Sequence, residues 1–171
     1  MLNILLFLPA ATAAATIVTP PERKTVSLAM ANRLADAAIA SCRTFGKDAV
    51  VAVVDRGGHL VALQRGDDIG PHNIVAAQRK AFTALSTKTS TAALAERVAT
   101  DPASRNLLGI PELLLLGGGV PLRIGDDVIG GIGIAGSGGA ANDERCANEA
   151  IERVLAPART REPDHRRGER P

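Results

Sequence analysis

A chain of 171 residues has room for one domain and hardly for two. Its hydrophobic fraction of 46% supports a buried core, but Phe7, Phe45 and Phe82 are its only aromatic residues, which leaves no stacking platform for single-stranded nucleic acid. The net charge of +2 is carried by residues 157–171, where Arg159, Arg161, Arg166, Arg167 and Arg170 outnumber Glu162, Asp164 and Glu169; the rest of the chain is neutral and offers a polyanion no electrostatic footprint.

The chain begins MLNILLFLPAATAAA. An apolar run, Leu2–Leu8, is interrupted only by Asn3 and precedes Ala11-Thr12-Ala13, a small-x-small cleavage pattern. Residues 1–15 are therefore expected to be an export signal, without the usual basic start, and the product is expected to be periplasmic or secreted. The alternative is an apolar first strand. The run is too short to cross a bilayer, so no stable membrane insertion is expected.

Ser27 is placed to cap a helix from Leu28, in which Met30, Leu34, Ala37, Ala38 and Ser41-Cys42 keep helical spacing until Gly46. Ala49–Asp55 (AVVAVVD) and His59–Arg65 (HLVALQR) flank Arg56-Gly57-Gly58 and predict a β-hairpin. After a polar loop, Pro71 suits the first turn of a helix running to about Leu85, because its missing N–H costs nothing there. Ile74, Val75, Ala77, Ala81, Phe82 and Leu85 form its apolar side. Ser90 caps a shorter helix, Thr91–Val98, and Asp101–Pro111 reads as irregular.

The run Leu113–Leu116, followed by Gly117, Gly118 and Gly119, predicts a strand entering a tight bend. Val120–Ile124 and Val128–Ile134 predict a second hairpin across Gly125-Asp126-Asp127. A Gly-rich loop, Ser137–Ala141, leads to a final helix capped by Asn142 or Asp143, with Cys146, Ala147, Ala150, Ile151, Val154 and Leu155 as its buried stripe. The pattern predicts one α+β domain over residues 27–156, a five-stranded antiparallel sheet in β-hairpins flanked by helices, in the order α-β-β-α-α-β-β-β-α. A disordered charged tail is expected over 157–171. Cys42 and Cys146 are open to two readings: an oxidising compartment would join them, whereas their apolar helical surroundings favour two buried thiols. No CxxC or Cys/His spacing points to a structural zinc site.

Four segments, VVAVVDRGGHLVALQR (50–65), GPHNIVAAQRKAFTA (70–84), LLLLGGGVPLRIGDDVIGGIGIAG (113–136) and DERCANEA (143–150), together resemble the GlcG/HbpS-like family, also described as haem-degrading. The resemblance runs from about Ser27 to Leu155. It implies a five-stranded antiparallel sheet with flanking helices, a homo-oligomer, and haem binding or handling in some members.

Haem binding uses an apolar surface, cations for the propionates and often an axial ligand. Of His59, His72 and His165, His72 is the candidate iron ligand, because it opens a helix after a Gly/Asp loop and the family motif holds a histidine there. The plain alternative is a first-turn polar residue. The helix start, with its free N–H groups, favours a carboxylate or propionate. Arg65, at the end of the preceding strand, is a candidate carboxylate partner, as is Lys80, although Arg79 and Lys80 read more simply as a solvated face. Glu144 is a candidate on the family pattern, with capping as the simpler role. The glycine runs lack the Gly-Lys-Ser/Thr of a P-loop, and no nucleophile–base–orienter set is recognisable, so an enzymatic activity is left open. Three functions compete: a haem-binding protein, a binder or enzyme of small organic acids using Arg65 and the helix start, and a purely structural assembly module.

Overall fold

Residues 18–155 are described by the structure, a computed structural model. The expected export signal and charged tail lie outside them. Helix α1 (Leu28–Arg43) begins where the Ser27 hydroxyl accepts a hydrogen bond from the Met30 N–H, the capping geometry its sequence predicts. Strands β1 (Val50–Asp55) and β2 (Leu60–Arg65) form the first hairpin. Its turn is held by the Asp55 carboxylate, which accepts from the N–H groups of Gly57 and His59. Helix α2 (His72–Thr87) follows, then α3 (Thr91–Thr100), capped by Ser90. A 3-10 segment, Pro102–Gly109, occupies the stretch expected to be irregular. The second hairpin joins β3 (Gly119–Ile124) to β4 (Asp127–Ala135), and α4 (Ala140–Leu155) ends the described chain.

The sheet has four strands in the order β2-β1-β4-β3, antiparallel throughout, not the five expected. Leu113–Leu116 forms no strand because helix side chains bind its backbone instead. Arg79 Nη2 donates to the carbonyls of Pro111 and Leu113, Thr83 Oγ1 accepts from Leu114 N at 2.9 Å, and Thr91 Oγ1 donates to the Leu116 carbonyl at 2.8 Å. With those groups satisfied, the segment has no need of a ladder partner. A second difference lies at α4, which starts at Ala140, so that Asp143 sits inside its first turn rather than before it.

Helices cover both faces. On one, Leu34 and Ala38 of α1 and Ala147 and Ala150 of α4 pack against Val51, Val53, Ile132 and Ile134. On the other, Ala77 of α2 meets Val50, Ala52 and Ala135. Here α2 lies directly on glycine: a Cβ on Gly133 would come 2.1 Å from the Ala77 carbonyl oxygen, and one on Gly131 2.3 Å from that of Ala81. Cys42 and Cys146 are joined in a disulfide between α1 and α4, and both are fully buried. This corrects the preference for two thiols. Small residues at the crossing, Ala35, Ala38 and Ala147 among them, bring the two Cα atoms to 5.4 Å, within bridging range. Nearby, Ser41 Oγ donates to Glu149 and Arg145 Nε pairs with it at 2.8 Å, which together hold the Glu149 carboxyl below its ordinary value.

Candidate ligand-binding site

The four sequence-selected residues lie toward one end of the sheet, in separate surroundings. Arg65 closes β2, exposed, in a shallow depression with Asp36, Ile39, Ala40, Arg43 and Gln64. Asp36 accepts from Gln64 Nε2 at 2.8 Å, and Arg43 pairs with Asp48 at 3.2 Å, so the depression carries both signs of charge. His72 is the first residue of α2 and is exposed. Its ring rests on the backbone of Gly70, where a Cβ would come 3.1 Å from the imidazole Cε1. The helix start has no side-chain cap and no acidic residue in its first turn.

Lys80 is 1% exposed, not the solvated side chain its neighbour Arg79 suggests in sequence. Its Nζ donates to Asp143 Oδ2 at 2.8 Å and to the Ile134 carbonyl at 2.9 Å. The other Asp143 oxygen accepts from the N–H of Ser137 at 3.0 Å and from its hydroxyl at 2.6 Å. Lys80 thus ties α2 to β4 and α4, and Gly118 seals it: a Cβ there would approach Nζ to 3.1 Å. A pair so enclosed is kept by mutual neutralisation and full hydrogen bonding. Glu144 is half-buried between α3 and α4, its carboxylate beside Gly117. His59 is an exposed turn residue, 3.5 Å from the Asp55 carboxylate.

The outward side of α2 is a feature that the sequence reading assigned to the core. His72, Val75, Arg79 and Phe82 recur at three- and four-residue spacing and so share one side of the helix. Val75 is 56% exposed. Beyond it, Arg79 and Phe82 border a slot of about 260 Å³ whose other walls are Val54, Gly58, Leu60, Gln78 and Glu112. Gly58 has φ +83°, and a Cβ on it would come 2.9 Å from the Phe82 ring, so only glycine lets the turn close over that aromatic face. The signal was present as the spacing Val75, Gln78, Arg79, Phe82. Among the described residues no cluster of three His, Cys, Asp or Glu could hold a metal ion, and no helix is long and apolar enough to cross a membrane.

The family model described as haem degrading protein HbpS-like matches residues 26–152. The chain belongs to the HbpS-like family. A crystal structure of a double mutant of HbpS from Streptomyces reticuli superposes with a TM-score of 0.74 at 34% identity, covering 85% of this chain and 99% of that one. A crystal structure of a PduOC:haem complex superposes with a TM-score of 0.67 at 28% identity, covering 74% of this chain and 92% of that one. Protein GlcG of Escherichia coli (strain K12) is 36% identical over 85 residues, which are 50% of this chain and 62% of GlcG.

Proposed function

We propose that this HbpS-like protein is an exported, homo-oligomeric haem-handling protein in which His72 supplies an imidazole to the iron. The observation that carries this reading is the exposure of His72 at the start of α2, with apolar Val75 exposed one turn further along the same side. An imidazole nitrogen is a common haem ligand, and an adjacent apolar side chain is what a porphyrin face requires. The His72 N–H at the helix start, together with exposed Arg65, would take the propionates. Haem, when bound, would supply the redox and gas-binding chemistry; the chain supplies the ligand and the apolar bed. Lys80 is paired with Asp143 and serves the surrounding architecture, while the Glu144 carboxylate lies beside Gly117. Family membership and the haem complex of a structural neighbour support the haem reading. The buried Cys42–Cys146 disulfide supports export, because such bonds persist in oxidising compartments.

Haem titration of the purified protein tests the proposal. A saturable Soret shift at micromolar haem is expected, lost or moved in wavelength in His72→Ala. An identical spectrum in His72→Ala, or no shift in the parent protein, overturns the ligand assignment. Light scattering on the same sample reads the oligomer, and a monomer at micromolar concentration overturns that part.

A further inference from the structure

We propose that the slot between α2 and the β1–β2 hairpin binds a short apolar monocarboxylate, with the Arg79 guanidinium as its anion partner. The site stands on its own cavity and does not depend on haem binding. At about 260 Å³ it lies below the roughly 300–1,000 Å³ typical of sites for drug-sized ligands, which suits a molecule of few carbons. Its apolar walls are Val54, Leu60 and Phe82, with Gln78 beside Arg79, and Leu60 is 47% exposed, an apolar strand residue left uncovered at the slot mouth.

Arg79 gives the slot its polarity. Its Nη2 donates to the carbonyls of Pro111 and Leu113, both of them neutral. Its Nε is buried and has no acceptor among the described residues, and no carboxylate among them lies within ion-pair distance. A positive charge is therefore held beside an apolar wall; because Nε is itself enclosed, a carboxylate in the slot meets the guanidinium through its other N–H groups. The two carbonyl contacts fix the orientation of the guanidinium beforehand, which lowers the ordering cost of binding. Glu112 also borders the slot but is exposed on its rim, where solvent and salt screen its charge. The hydrocarbon chain of such an acid fits the Leu60–Phe82 end, and its carboxylate meets Arg79.

The test uses the full chain labelled with ¹⁵N and follows the Arg79 side-chain Nε–H resonance during titration with hexanoate. Hexanamide and hexylammonium serve as probes of equal length. A saturable shift with hexanoate is expected, with hexanamide weaker by about tenfold or more, the loss of one charge-assisted contact. Hexylammonium should give no saturable shift. Arg79 also anchors the segment at Pro111–Leu113, so the decisive variant is Leu60→Trp, which fills the slot from an exposed strand position. It should abolish hexanoate saturation while leaving the melting temperature and any haem spectrum unchanged. Unaltered hexanoate binding in Leu60→Trp, equal binding of hexylammonium, or no saturable shift with hexanoate overturns the proposal.

Discussion

Removing the Cys42–Cys146 bond probes both the energetics of the fold and the setting in which it forms. The bridge closes a loop with a sequence separation of 104 residues and joins the first and last helices of the domain. On the chain-entropy relation, a loop of that length restricts the unfolded chain by about 4.7 kcal/mol at 25 °C. Domains of this size have a total stability of roughly 5–15 kcal/mol, so the bond accounts for a large share of it. Both sulfurs are fully buried, and replacing them with alanine methyls also leaves a small void between α1 and α4. For a domain between the small and large size classes, each kcal/mol moves the melting temperature by about 3–5 °C. Cys42→Ala/Cys146→Ala is therefore expected to melt roughly 14–24 °C below the oxidised parent by calorimetry or circular dichroism. Either single variant should lose nearly as much, because the bond is absent in each. A drop below about 5 °C would show that the unfolded chain gains little freedom when the bridge is cut. Two titratable thiols in guanidinium-unfolded protein from an oxidising compartment would show that no bridge forms there.

Two further substitutions read the core directly. Lys80→Met leaves the Asp143 carboxylate buried with only Ser137 as partner and should cost about 3–5 kcal/mol in urea unfolding. In a cycle with Asp143→Asn the double variant should lose at least 1 kcal/mol or so less than the sum of the singles, and strict additivity would contradict the pairing. Gly133→Ala should destabilise by about 1–3 kcal/mol or more, since its methyl would meet the Ala77 carbonyl, whereas Gly109→Ala, with nothing within 4 Å, should stay within about 0.5 kcal/mol of the parent in the same assay.

Features governed by local rules were legible in the sequence. Ser27 and Ser90 announce their helices because capping needs only a hydroxyl two or three residues ahead of a free N–H. Both hairpins are marked by β-branched runs broken at glycine and aspartate. The failures share another cause. Leu113–Leu116 has no period that separates strand from coil, and its fate was set by Arg79, Thr83 and Thr91, which lie 25 to 34 residues away in sequence. The disulfide depended on how closely α1 and α4 cross, and the burial of Lys80 depended on Asp143, 63 residues later. The exposed positions of His72 and Arg65 followed from their places at element ends, but the slot could not be seen, because Phe82 looks like a core residue when only its polarity is read.

That misreading has a physical source which also explains the site. A helix normally turns its largest apolar side chains toward the sheet. Here the sheet presents glycine to α2 at Gly119, Gly131 and Gly133, so the helix backbone descends onto it, and the buried apolar side chains of α2 are the small Ala77, Ala81 and Ala84. The larger apolar residues of α2 are thereby displaced to its flanks and outer side, where Val75 and Phe82 join His72 and Arg79. Contact between the α2 backbone and the glycines also removes the side-chain layer through which such a helix could slide, so the outer side is held rigidly to β4. The exposed outer side of α2 thus follows from the glycines of the IGGIGIAG strand, and the haem proposed to bind there would meet a bed already formed.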